Sequence, residues 1–247
     1  MLKKINGIEV EYEYNKVSDK CIVFLHGFGG NLSNFSYFTK IFNNFGFSNL
    51  NINLTDFGFK NLPKFFNIYS FADVVYNLIK SLKINIFSLV GHSFGGRISI
   101  ILSSMYLGVE KLILVDSAGI KPRFNLVTKF KILKYKLYKK LAIKNQKIKN
   151  KLNNFGSNDY KTLNENQKCI FNNVIKEDLS YLLKNIKNKT LIIFGKKDKE
   201  TPIYMAKKLN KNIQNSKLII LNAGHYSYLD ETQKFINLLK KFLGGNE

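Results

Sequence analysis

The six residues Gly91-His92-Ser93-Phe94-Gly95-Gly96 carry the strongest chemical implication in the chain. They follow the apolar run 86–90 directly and precede a segment of helical period. A Gly-x-Ser-x-Gly sequence at such a junction describes a nucleophile elbow, a sharp turn that raises a serine hydroxyl above the edge of a sheet. Glycines two residues before and after Ser93 leave room where side chains would collide in a strained backbone. A helix starting behind Ser93 also points its positive end at negative charge developing there. Alone, a Gly-Ser-Gly cluster is an ordinary turn; the flanking strand and helix give it chemical meaning.

A serine hydroxyl attacks poorly at neutral pH unless a base takes its proton. The chain has three histidines, His26, His92 and His225. His92 adjoins Ser93 on the tight turn, so its ring is expected to face away from the hydroxyl, and His26 belongs to a glycine-rich loop. His225 remains, in Asn222-Ala223-Gly224-His225-Tyr226 just past the last apolar run. The base needs an orienting acid. Asp198, in Gly195-Lys196-Lys197-Asp198, follows the run 190–194 and produces the chain order Ser, Asp, His. Asp116, after the run 111–115, is the substitute, although its expected role is hydrogen bonding within Val115-Asp116-Ser117-Ala118-Gly119. A tetrahedral intermediate further needs two N–H donors for its oxyanion. These are expected from the backbone of Phe94, next after Ser93, and of Phe28, in the loop His26-Gly27-Phe28-Gly29-Gly30. That loop lacks the register of a phosphate-binding glycine loop.

These residues sit where an alternating fold would place them. Asn6-Gly7 signals a two-residue hairpin, followed by alternation of Ile8, Val10, Tyr12 and Tyr14 with polar residues. The later runs 21–25, 50–54, 86–90, 111–115, 190–194 and 218–221 are short and nearly continuously apolar, as in strands covered on both faces. Between them lie helical patterns. Phe71, Val74, Val75, Leu78, Ile79 and Leu82 form one stripe, with Ser70 and Asp73 as a capping box. A helix follows Ser93 through Met105, another opens at Thr201-Pro202 with the proline at its first position, and a last spans about 231–243. The alternation predicts an α/β fold: a mostly parallel, doubly wound sheet of about eight strands with helices on both faces. Residues 120–188 break it, with successive helical patterns and no convincing strand, and read as an insertion over the sheet.

The motifs HGFGG, GHSFGG, GKKD and NAGHYSYLD, in this order at successive strand ends, resemble the α/β-hydrolase superfamily over nearly the whole chain. The resemblance implies a core of 1–119 and 189–247 with a helical cap, 120–188, inserted after the sixth strand. It makes the four motifs the oxyanion loop, the nucleophile elbow, the triad acid and the triad histidine. It further implies a serine hydrolase of carboxylic esters or thioesters, using no cofactor and no metal and taking a small-molecule acyl substrate. Carbon–carbon bond hydrolases of the family share the triad, so that chemistry stays open. Serine at position 93 departs from the family's dehalogenases and epoxide hydrolases, and HGFGG and GHSFGG differ from the HGGPG and GGSWG of prolyl iminopeptidases. Binding proteins of this fold usually lack a triad residue, whereas all three are present.

Length and composition agree with one sizeable core: 247 residues, 45% hydrophobic and 14% aromatic, enough apolar surface to offset chain entropy. The formal net charge of +22 invites an acidic partner. Arg97 and Arg123 are, however, the only arginines amid abundant lysine and asparagine, the bias of an AT-rich genome. No nucleic-acid reading module is recognisable, so nucleic acid is not an expected partner. The basic residues concentrate between Lys121 and Lys151, where Leu126, Phe130, Leu133, Leu137 and Leu141 recur at helical spacing. Such a lysine-faced cap helix either lies solvated over the site or makes weak contact with an anionic membrane surface. Cys21 and Cys169 read as buried free thiols. The N-terminus lacks a signal-peptide apolar region and no stretch reaches membrane-spanning length, so a cytoplasmic location is expected.

Overall fold

The computed structural model describes residues 1–54, 62, 66–105, 108–122 and 165–244. Asn6 and Gly7, both at positive φ (49° and 84°), close the hairpin between β1 (Leu2–Ile5) and β2 (Ile8–Asn15), with Ile5 opposite Ile8. The apolar runs form β3 (Cys21–Leu25), β4 (Ser48–Ile52), β5 (Ile86–His92), β6 (Lys111–Val115), β7 (Lys189–Gly195) and β8 (Ser216–Leu221). They join in one eight-stranded sheet of order β1-β2-β4-β3-β5-β6-β7-β8. Its first two pairings, β1 with β2 and β2 with β4, are antiparallel, and all the others are parallel.

Two strands depart from the expectation. β4 starts and ends two residues before the run 50–54, because the Ser48 hydroxyl and the Asn49 amide nitrogen find partners inside the fold, although Asn49 Oδ1 is buried without one among the described residues. Ser48 Oγ accepts from Val17 N and Ser18 N, both at 2.9 Å, and Asn49 Nδ2 donates to Thr39 O at 3.0 Å. β8, at the sheet edge, is only partly covered: Leu218 and Ile219 are half-buried against the two cores, Leu221 is buried, and Ile220 is 40% exposed.

Successive residues of a strand point to opposite faces, and two cores result. On one side Val23, Leu25, Leu89, Leu112 and Leu114 cluster with α2 (Ile68–Ser81), α3 (Phe94–Met105) and α5 (Ile203–Asn212). On the other, Ile22, Phe24, Val90, Ile113 and Val115 cluster with α1 (Ser33–Asn44), α6 (Ser227–Asp230) and α7 (Thr232–Gly244). The sequence reading named no helix at α1, although Phe35, Phe38 and Phe42, fully buried in the second core, carry its period.

Between β6 and β7 the described residues form α4 (Glu165–Lys176) and a 3₁₀ turn, Leu179–Asn185. The lysine-faced helix expected around Leu126 to Leu141 lies outside the described residues. Cys21 is buried, and burial pushes its thiol up to about 12. Cys169, on α4, is only half-buried, contrary to expectation. Among the described residues no helix is long and apolar enough to cross a membrane.

Two helix starts also shift. Pro202 occupies the cap of α5, not its first helical position. The capping box of α2 is Asn67 with Ser70, not Ser70 with Asp73: the Asn67 side chain accepts from Tyr69 N (2.9 Å) and Ser70 N (3.1 Å), and Ser70 Oγ accepts from Asn67 N. Asn67→Ala should therefore lower stability by about 1 kcal/mol. The urea unfolding midpoint of the variant measures this loss.

Candidate active site

Ser93 lies between the end of β5 and the start of α3 with φ at +48°, a left-handed conformation that costs a side-chain-bearing residue about 1–2 kcal/mol. Backbone bonds on both sides hold it there: Ser93 N donates to Val115 O and Ala118 N to Ser93 O, each at 3.1 Å, and Gly95 N donates to His26 O at 3.1 Å. The need for glycine is steric. A Cβ on Gly95 would fall 2.0 Å from Leu25 O, and one on Gly91 would fall 2.7 Å from Gly95 O. The strain thus sits on the serine, while the glycines permit the close approach that enforces it.

The three sequence-predicted residues meet. His225 Nε2 is 3.1 Å from Ser93 Oγ, and His225 Nδ1 is 2.8 Å from Asp198 Oδ2. An ionised carboxylate can only accept, so Nδ1 carries the proton and Nε2 presents a lone pair to the Ser93 hydroxyl. Burial opposes charge on His225, but the Asp198 bond and the Asp198, Glu200 and Asp116 charges outweigh it and raise its pKa above the ordinary histidine value. Burial likewise opposes ionisation of Asp198, and its bonds to His225 and Thr201 more than offset this, leaving its pKa lowered.

The turn after β7 completes the acid's shell. Asp198 Oδ1 accepts from Glu200 N (2.8 Å) and Thr201 N (3.0 Å), while Thr201 Oγ1 donates to Oδ2 (2.5 Å). Thr201 was read from sequence only as a helix start. Its signal is an aspartate followed by free N–H groups two and three residues on, an Asx-type turn closed by a hydroxyl. Glu200 was also missed: its Oε2 lies 3.2 Å from His225 Nε2.

Asp116 takes a different place from both sequence readings. It makes no hydrogen bond to His225 and does not close its own segment. Its carboxylate, fully buried, accepts from Gly195 N through Oδ1 (2.7 Å) and from Ser227 N through Oδ2 (2.9 Å). It therefore ties the loop carrying Asp198 to the loop carrying His225. Burial, only partly countered by these bonds and reinforced by the Asp198 charge, raises its pKa to about 7.

The other two histidines are spent on scaffolding. His26 Nε2 accepts from Leu54 N at 2.8 Å, so Nδ1 holds the proton and donates to Gly27 O at 2.7 Å, which braces the glycine loop. His92 Nε2 donates to the His225 carbonyl at 2.8 Å. Burial, with His225 nearby, drops the His92 pKa to about 3 and keeps it neutral.

A cavity of about 460 Å³ opens over Ser93, walled by Phe28 and Phe94 from the predicted oxyanion positions and by Ile120, Phe171, Val174 and Met205. The Phe28 and Phe94 rings meet edge to face at 6.4 Å. Phe94 N–H, at the start of α3, has no carbonyl partner among the described residues. Arg97, one turn after Ser93 and buried, donates to Glu177 O (2.9 Å) and Ile175 O (3.3 Å), fastening the last turn of α4 to the nucleophile helix. Burial lowers its pKa to about 10, which leaves it charged at neutral pH.

Comparison with known proteins identifies the family. Residues 20–139 match the family model described as alpha/beta hydrolase fold. Over 250 residues the chain is 30% identical to the pimeloyl-[acyl-carrier protein] methyl ester esterase of Wigglesworthia glossinidia brevipalpis, covering 90% of this chain and 93% of that protein. The chain belongs to the α/β-hydrolase family. A second relative of this hydrolase is the AB hydrolase superfamily protein YisY of Bacillus subtilis, 28% identical over 253 residues and 90% of each chain. Among solved structures, the esterase EaEST from Exiguobacterium antarcticum has the same fold, with a TM-score of 0.75 at 22% identity over 98% of both chains.

The Asp116 clamp has a measurable consequence for the hydrolase. Asp116→Asn offers one acceptor oxygen in place of two, and its amide nitrogen faces an N–H that it cannot satisfy. Because the folded carboxyl keeps its proton up to about pH 7 and an unfolded aspartate only up to about pH 4, the wild type should lose stability relative to Asp116→Asn as pH rises between these values, as read from urea unfolding midpoints.

Proposed function

We propose that the protein hydrolyses carboxylic esters or thioesters through an acyl-enzyme on Ser93. The observation that carries this reading is the unbroken relay from Asp198 Oδ2 through His225 to Ser93 Oγ, at 2.8 and 3.1 Å, at the floor of an apolar cavity. As Ser93 Oγ bonds to the acyl carbon, its proton passes to His225 Nε2 and the carbonyl electrons move to oxygen. The backbone N–H groups of Phe94 and Phe28 receive that oxyanion. The imidazolium then protonates the departing alkoxide or thiolate, and a water activated by the same nitrogen releases the acid. Asp198 holds the ring in its required tautomer and faces the positive charge without taking the proton.

The cavity walls suit an apolar acyl group, and the segment between β6 and β7 supplies the specificity cap, with α4 as its described part. The esterase names carried by two sequence relatives support ester over carbon–carbon cleavage.

A fluorophosphonate probe should label the wild type and not Ser93→Ala, and the variant should lose hydrolysis of p-nitrophenyl esters. Turnover of vinylogous diketones with no turnover of esters would overturn the reading. Asp198→Asn should lower kcat on the order of 10⁴-fold with little change in KM. Because His225 must be neutral to accept the serine proton and its pKa is raised, kcat/KM should fall on the acid side. The midpoint should lie above about 6.5, the unperturbed histidine value, as read from a pH profile.

A further inference from the structure

The turn that carries Asp198 brings a second carboxylate to the same imidazole. Asp198 Oδ2 lies 2.8 Å from Nδ1 and Glu200 Oε2 lies 3.2 Å from Nε2 of His225. Ser93 Oγ is 3.1 Å from that same Nε2. Glu200 is placed there by the acid's own hydrogen-bond shell, because its backbone N–H donates to Asp198 Oδ1 at 2.8 Å. Its side chain is 72% exposed and lines the cavity over Ser93.

Nε2 has one in-plane position for a hydrogen bond, and the charge state of the ring decides which neighbour uses it. In the neutral ring that position is a lone pair, which accepts the Ser93 O–H and is repelled by a carboxylate. In the imidazolium it is an N–H, for which an ionised carboxylate is the stronger acceptor. A ring with acids at both nitrogens is therefore better matched to the charged form than to the neutral one.

We propose that Glu200 is a further catalytic residue, the counter-ion of the His225 imidazolium at the proton-transferring nitrogen. This rests on the ester-hydrolase reading for its catalytic half. When the Ser93 proton moves to Nε2 as Oγ bonds to the acyl carbon, Glu200 stays ionised and stabilises the ion that forms. When the proton moves on to the leaving group, Glu200 returns to a passive place on the cavity wall. The same contact has a cost at rest: at lower pH it holds His225 protonated and removes the base. Glu200 therefore raises the rate where His225 is neutral and lifts the pH below which activity fails.

Among the carboxylates around His225, Glu200 is the exposed one; the neighbouring titratable Tyr226 ring, 5.5 Å away, is a neutral phenol. Asp198 and Glu200 face His225 from the turn after β7, Asp116 from the end of β6 and neutral His92 from the end of β5. Arg97, Lys121 and Lys176 are the cations on the cavity wall. Asp116 and Asp198 are buried, so salt screens mainly the Glu200 contribution.

The test compares wild type with Glu200→Gln, a solvent-facing change that keeps the shape of the side chain. Two readouts are used: the NMR titration of the His225 ring, and the pH profile of p-nitrophenyl acetate hydrolysis at low and at molar salt. Glu200→Gln should lower the His225 pKa by about half a unit and the alkaline-plateau kcat by about two- to fivefold, as for a partly exposed ion pair. In molar salt the wild type should move to the variant's values while the variant stays put. A His225 titration identical in both proteins overturns the pairing. A shifted titration with an unchanged plateau kcat overturns the catalytic role. A shifted titration in a wild type that turns over no ester overturns the hydrolase reading instead, and leaves the ion pair standing.

Discussion

The left-handed conformation of Ser93 is the constraint on which the site depends. A residue with a Cβ at φ +48° persists only where the surroundings outweigh its intrinsic cost, and here three strands take part. Val115 O at the end of β6 accepts from Ser93 N, and His26 O after β3 accepts from Gly95 N, while β5 delivers the serine itself. Because these strands are parallel and adjacent, in the order β3-β5-β6, their carboxyl ends form one edge. Everything the serine needs is then presented from that edge.

A second constraint acts on the partners. His225 and Asp198 belong to separate loops after β8 and β7, and loops have many conformations unless their backbone groups are engaged. The Asp116 carboxylate engages both, with one oxygen on Gly195 N and the other on Ser227 N. Its burial would be costly if either bond were missing. The His225 carbonyl is held again from below by His92. Ser93 and His225 are thereby referred to the same strand ends, β5 and β6, and the 3.1 Å gap between them follows from the sheet and not from the loops.

The parts of the structure that were legible in the sequence are those with a period or a required residue type. Short, nearly continuous apolar runs mark the parallel strands, Asn6-Gly7 marks the hairpin, and glycines around Ser93 mark the elbow, because only glycine tolerates backbone carbonyls at such distances. What was missed depends on partners distant in the chain. The start of β4 is hidden by Ser48 and Asn49, whose hydroxyl and amide nitrogen bond to residues 17, 18 and 39. The sequence predicts only local hydrogen bonds for Asp116, because no property of residues 115–119 announces that residues 195 and 227 will be beside it. Thr201 and Glu200 had a local signal, the turn after Asp198, but its consequence for His225 appears only when β7 and β8 are laid side by side.

Selection of one histidine out of three shows how the fold converts identical side chains into different chemistry. His26 is buried among neutral partners, and its ring is committed at both nitrogens to backbone groups, Leu54 N and Gly27 O. Burial lowers its pKa. His92 is buried too, and its one proton is given to a carbonyl, so that its pKa drops to about 3. Neither can gain a proton without losing a bond or facing desolvation. His225 alone combines partial burial with carboxylates, and it alone keeps a nitrogen aimed at a hydroxyl. The neutral pair makes this specialisation workable, since a charged ring at either position would lower the His225 pKa and weaken its basicity. His26 and His92 therefore support the place of His225 beside Ser93, by position and by remaining uncharged.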